Sequence, residues 1–366
     1  MTNDDRGTKA WLRAELKWRN LMPTLVVLAA TLVVFVIVAE IVLRASCTYC
    51  SWTERNGRDY RSPYQEPDRG WYHLRTPNQT TSYQQPEFDF ELKTNSLGIR
   101  DIDHPTEKAA NEFRIIGIGD SFTEGQGAAY EDGYLKVLER NLDSTTTADV
   151  TAIVGGVAGS DPIYGYKLLH DKLLPFAPDL VTVTVNNSDI ADVVTRSGRE
   201  RFREDGTIRY AEPPGDEWLF EHSHFYRFVA RELLGYDWLG LPRQERKRRK
   251  AQALIEIADA LGDFHTLAQR EGFAFVTILH PDYNEFKRQR YAFEAEELKQ
   301  RLDAQGIRYF DLLAHFEDSG TLTDAAPEDL FWPRDFHNNP QGYARFAEGL
   351  EAYLREHGLV PANEDP

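Results

Sequence analysis

The chain has 366 residues, of which 41% are hydrophobic and 28% charged, and its formal net charge is −17. Size alone allows a large buried core, as two average domains or one α/β domain with additions, and the balance is that of an ordinary globular protein. The acidic excess excludes a nucleic-acid footprint, so no polyanionic partner is expected.

At the N-terminus, Arg6, Lys9, Arg13, Lys17 and Arg19 outnumber Asp4, Asp5 and Glu15. Residues 21 to 39, LMPTLVVLAATLVVFVIVA, then carry no charge, and IVL follows Glu40. That is enough helix to cross ~30 Å of hydrocarbon. A buried core helix would show a polar face, and a signal peptide has a shorter apolar region followed by a small-x-small cleavage site. The expected order is a cytoplasmic tail at 1–20, a retained transmembrane anchor at 21–44, and an extracytoplasmic remainder by the positive-inside rule. In a Gram-negative cell that remainder is periplasmic, although Arg44, Arg55, Arg58 and Arg61 weaken the charge asymmetry.

The only two cysteines, Cys47 and Cys50, follow the anchor as CTYC. In an oxidising compartment they pair with each other or with another chain. A zinc site needs four ligands and no second CxxC exists, and a thioredoxin-like motif opens a helix after a strand. A structural disulfide is expected, with no metal and no cofactor.

Residues 45–112, rich in Pro, Gly, Tyr and Gln, read as a flank of loops and short strands. From 113 to 360, short apolar runs alternate with amphipathic stretches, the signature of βα units around a parallel sheet. Strands are expected at 113–119, 150–156, 180–185, 273–280 and 307–312. Helices are expected at about 131–143, 162–174, 245–271, 284–305 and 341–357, the last with Pro340 ahead of it. The fold class is α/β, a three-layer sandwich with a five-stranded parallel sheet. An insertion at about 190–244 holds RFREDGTIRY, a hairpin turned at Asp205 and Gly206, and is placed to cap a site. The basic run RQERKRRK (243–250) reads as a solvated helix start, with a membrane-surface patch as the alternative.

Ligands of open parallel sheets bind beyond the carboxyl ends of the strands, and GIGDSFTEGQG (117–127) stands at the end of the first. A dinucleotide fingerprint lacks its third glycine here, and a phosphate loop lacks its lysine. What remains is Ser121 at a strand-to-helix turn, where flanking glycines permit a tight backbone and a helix N-terminus favours developing negative charge. A bare N-cap serine has the same setting, so a nucleophile needs a base. Near the C-terminus, Asp335 and His337 precede Pro340 in DFHNNPQG. Histidine with a carboxylate on its other nitrogen takes a hydroxyl proton at neutral pH.

Residues 113–357 resemble the SGNH hydrolases, also called GDSL lipases and esterases. GDSFTEG (119–125) is similar to the family's first block, and Ser121 matches the nucleophile with Gly119 and Asp120 in support. GVAG (156–159) resembles the second, which implies an oxyanion-hole NH from Gly159 beside that of Ser121. DFHNNPQG (335–342) is similar to the last, which implies His337 as base and Asp335 as orienting acid. Two departures stand out. The third block reads VNNSD (185–189) rather than GxND, so Ser188 takes the asparagine's place and Asn187 or Asn186 would donate if the loop is shifted. Asp335 and His337 are separated by one residue where two are common.

The anchor and TNSLGIRD (94–101) look like a group of tethered bacterial SGNH proteins; in that segment Arg100 reads as a turn residue, its reach to the site being the alternative. The resemblance implies a serine esterase acting on O-acetyl or other acyl groups of an ester-bearing small molecule or envelope glycan. An O-acyltransferase modifying an envelope polysaccharide shares the same acyl-enzyme. A non-catalytic envelope binding protein on a retired fold is the third reading, and the joint retention of Ser121, Asp335 and His337 weighs against it.

Overall fold

The structure, a computed structural model, describes residues 4–64, 74–204, 208–209 and 211–362, with side chains of the first helix from Leu21 onward. The expected tail and anchor form one helix, α1 (Asp4–Ser46). Its Leu21–Ser46 portion is long and apolar enough to cross a membrane, and its apolar window is not buried against the rest of the chain. Cys47 and Cys50 are joined by a disulfide. The flank supplies an antiparallel hairpin of β1 (Thr80–Gln84) and β2 (Asp89–Lys93), with Thr80 opposite Lys93.

The main sheet contains β3 (Glu112–Gly119), β4 (Asp149–Gly156), β5 (Leu180–Val185), β6 (Ala274–Leu279) and β7 (Tyr309–Asp311), all parallel in the order β4-β3-β5-β6-β7. Every residue of β5 is buried, as a strand covered on both faces requires. The principal helices are α2 (Ser121–Glu124), α3 (Tyr134–Asp143), α4 (Pro162–Leu168), α5 (Asn187–Thr195), α6 (Arg243–Glu271), α7 (Ala295–Ala304) and α8 (Pro340–Glu356). Apolar side chains of α4 to α7 pack on one face of the sheet, around Val183, Ile257 and Leu298. Those of α3 and α8 pack on the other, around Ile278, Leu138 and Phe346. After β3 the chain adds β4 on one side and then returns to add β5 on the other. In open parallel sheets, a switch point of this kind is where ligands bind, beyond the carboxyl ends of the central strands.

The helix expected over 284–305 is two helices, Tyr283–Arg288 and α7, because Gln289 turns into the left-handed region at φ 53°. The stretch 131–143 is likewise broken: a single 3-10 turn, Tyr130–Asp132, precedes α3. The stretch 162–174 holds α4 only to Leu168 and then widens over Leu169–Leu173. In the insertion, the described residues of the expected hairpin hold one antiparallel bridge, between Phe202 and Ile208, and the Asp205–Gly206 turn lies outside the described residues.

Candidate active site

β3 ends at Gly119 and the chain turns at once into α2. Asp120 caps that helix by accepting the Phe122 N–H at 3.0 Å. Gly119 and Gly156 stand side by side in the β3–β4 register. A Cβ on Gly119 would meet Thr123 Oγ1 at 2.3 Å, and one on Gly156 would meet the Glu124 nitrogen at 2.2 Å. The two glycines therefore let α2 sit against the strand ends, with Ser121 at its first position.

The loop ahead of α8 brings His337 to this turn. Its Nε2 lies 2.6 Å from Ser121 Oγ, and its Nδ1 lies 2.5 Å from Asp335 Oδ1. A carboxylate only accepts, so Nδ1 carries the proton and Nε2 is left to accept from the serine. Burial disfavours the imidazolium, and the adjacent Asp335 carboxylate outweighs it, holding His337 above its ordinary value. The one-residue spacing works because Phe336, between the two, sits in the left-handed region at φ 75°. Its ring is stacked near Tyr283 and lies under the Arg55 guanidinium, which offsets the backbone cost.

Further contacts fix this arrangement. Gln126 Nε2 reaches both Asp335 oxygens at 3.3 and 3.2 Å, and Trp52 Nε1 donates to the Asp335 carbonyl at 3.2 Å. Phe122 packs between the rings of His337 and His280. Burial pushes His280 down to about 3, so this ring is a neutral spacer at neutral pH. Arg100 stands in a bend, as a turn residue would, and its buried side chain also makes the alternative reach: its guanidinium donates to the carbonyls of Glu124, Gly125 and Ala128, at 3.1, 2.7 and 2.8 Å. Arg75 forks onto the Glu124 carboxylate at 2.9 and 2.8 Å. The flank thus braces the serine loop from outside. Gln126 and Arg75 were not singled out by sequence reasoning; Gln126 lies inside the GDSFTEGQG stretch, and no local pattern marks Arg75.

Among the described residues, neither the Ser121 nor the Gly159 N–H is taken by a backbone carbonyl of a turn or loop. Gly159 holds φ 73°, which a side chain would strain. In the third block the side chains divide. Asn186 caps α5 and donates to Asp120 Oδ2 at 3.0 Å. The Ser188 hydroxyl has its single hydrogen between Asp120 Oδ2 at 2.9 Å and Asn186 Oδ1 at 2.6 Å. Asn187, half-buried at the first position of α5, has its side-chain amide uncommitted to any other described side chain. Away from this site, Cys50, Glu54 and His224 lie close enough to share an ion. The Cys50 sulfur is tied into the disulfide and Glu54 is paired with Arg227 at 2.6 Å, so this donor set does not fit a metal.

A doubly wound parallel sheet with a serine, a histidine and an aspartate linked at its carboxyl edge has the architecture of an acylhydrolase. The sequence model of the GDSL-like lipase/acylhydrolase family matches residues 118–345, and the chain belongs to that family. No curated protein matches the chain by sequence. Among solved structures it is similar to a two-domain esterase (CEX) active on acetylated mannans, at 14% identity and TM-score 0.43, over 70% of this chain and 53% of that one. It therefore spans about half the length of that esterase. Axe2, an acetylxylan esterase from Geobacillus stearothermophilus, is 16% identical at TM-score 0.41, over 69% of this chain and 97% of its own. The lipase/acylhydrolase from Enterococcus faecalis is 13% identical at TM-score 0.39, over 69% and 100%.

Proposed function

We propose that the protein is a serine esterase that removes acyl groups, O-acetyl among them, from an ester-bearing molecule of the cell envelope. The observation that carries the reading is the unbroken chain Ser121 Oγ, His337, Asp335 at 2.6 and 2.5 Å. His337 Nε2 takes the hydroxyl proton as Ser121 Oγ bonds to the ester carbonyl carbon. The resulting imidazolium is held by Asp335 and returns the proton to the departing alcohol as the ester bond breaks. Water, deprotonated by the same nitrogen, then attacks the acyl-serine and releases the acid. The oxyanion is received by the N–H groups of Ser121 and Gly159 and, in place of the family's asparagine, by the Asn187 amide; Ser188 has its hydrogen engaged elsewhere. Asp120 and Gly119 shape the turn rather than act on the ester.

The domain plan proposed is a cytoplasmic tail (1–20), an anchor (21–44), an extracytoplasmic flank (45–112) and the hydrolase domain (113–360). The apolar helix supports a tethered enzyme whose substrate is met at the envelope. Transfer of the acyl group to a sugar hydroxyl differs from hydrolysis only in the acceptor. Turnover of an acetyl ester by the full chain, with and without added glycan, tests both. Ser121→Ala and His337→Ala are expected to lower turnover by at least ~10³-fold. Unchanged turnover in either would overturn the reading, and acetyl appearing on the glycan would make the protein a transferase.

A further inference from the structure

The insertion carries an apolar surface that ester chemistry does not use. Its helix His224–Phe228, continued by the wider helical turn Val229–Leu233, is joined to α1. On α1 the half-buried Val36, Ala39, Glu40 and Leu43 form one stripe at helical spacing. Glu40 accepts the N–H groups of His224 and Phe225 at 3.1 and 2.8 Å and the Ser223 hydroxyl at 3.0 Å, while Arg44 donates to the His222 carbonyl at 3.0 Å. The Phe225 ring meets Phe35 edge-on at 6.2 Å. With a rise of 1.5 Å per residue, Phe35 lies about 7 Å beyond Glu40 into the uncharged run. An element that touches Phe35 therefore stands at the depth of hydrocarbon if α1 spans a bilayer.

The insertion's side chains suit that depth. Leu233 and Leu234 are 68% and 56% exposed, and Trp218 and Trp238 are 64% and 44% exposed. Trp218 stacks on His222, beside Arg44, and Trp238 lies under the Arg231 guanidinium at 3.4 Å. Indole rings are suited to the membrane–water boundary, and Trp238 brings a cation with it. The chain then enters α6 with Arg243, Arg246 and Lys247, a cationic start matched to anionic headgroups.

We infer that residues 217–239 form a second membrane contact, an interfacial surface that beds Leu233, Leu234, Trp218 and Trp238 in an anionic lipid surface beside α1. Two attachments fix orientation where one helix leaves a tether free to swivel. Arg55 lies between the rings of Trp238 and Phe336, at 6.0 and 5.5 Å, so the contact holds the His337 loop close to the lipid. The site then faces esters presented near the membrane rather than deep in the envelope. The inference rests on the reading of Leu21–Ser46 as membrane-spanning, and the test separates the two.

The full chain is reconstituted in phosphatidylcholine–phosphatidylglycerol vesicles with single spin labels on Leu233→Cys, Leu234→Cys, Val33→Cys and Thr147→Cys. The native cysteines are both in the disulfide, so the introduced thiol is the one that reacts. Thr147 is exposed just ahead of β4, at the opposite end of the sheet from Ser121. Accessibility to oxygen relative to an aqueous nickel chelate is expected to be several-fold higher at 233 and 234 than at 147, approaching the value at 33. Values at 233 and 234 equal to that at 147, with 33 in lipid, would overturn the second contact and leave the anchor standing. An aqueous value at 33 would overturn the anchor and the inference together.

Discussion

At Phe336 a non-glycine residue in the left-handed region turns the two side chains that flank it onto a shared hydrogen bond. Ser121 and His337 were legible because each stands at a punctuation point, a glycine-flanked strand end and a proline-started helix. The conformation of Phe336 was not, because no glycine or asparagine marks it. Asp335 raises the His337 pKa, and the imidazole must be neutral to accept a proton. Activity should therefore rise with pH through a midpoint above the ordinary histidine value. Asp335→Asn should lower that midpoint and cut kcat by about 10⁴-fold, as seen in a pH–rate profile; an unmoved midpoint would separate Asp335 from His337. Asn187 and Ser188 make a second contrast. Asn187→Ala is expected to cost ~10²-fold in kcat, the loss of one oxyanion donor, and Ser188→Ala clearly less. The reverse order, in parallel kinetic measurements, would return the role to the serine.

At the scale of elements, the strands were legible because a sheet covered on both faces writes short, uninterrupted apolar runs such as LVTVTV. The break at Gln289 was not, since the amphipathic pattern runs on through it and tertiary packing imposes the turn. α2 also depends on packing: four residues long, it is held by Asp120, Arg100 and the close approach of Gly156. Gly156→Ala places a methyl 2.2 Å from the Glu124 nitrogen, so α2 must shift. A loss of about 1–3 kcal/mol is expected in urea unfolding, with a larger proportional loss of esterase activity as Ser121 moves. Wild-type stability and turnover in this variant would mean that the strand–helix contact is dispensable.

At the scale of the whole molecule, the long apolar N-terminal helix was plain in the sequence, whereas the insertion's attachment to it was not. Glu40 and Phe225 are 185 residues apart, and neither carries a local sign of the other. The same holds for the flank, whose Arg75, Arg100 and Trp52 reach the active-site loops by tertiary contact alone. The flank and the sheet thus converge on one serine, and the account stands or falls with it. The most direct measurement is fluorophosphonate labelling of the full-length protein in membranes, with the adduct located by mass spectrometry. The account predicts a single adduct on Ser121, lost in Ser121→Ala and strongly slowed in His337→Ala. Equal labelling of wild type and Ser121→Ala, or an adduct on another residue, would contradict it.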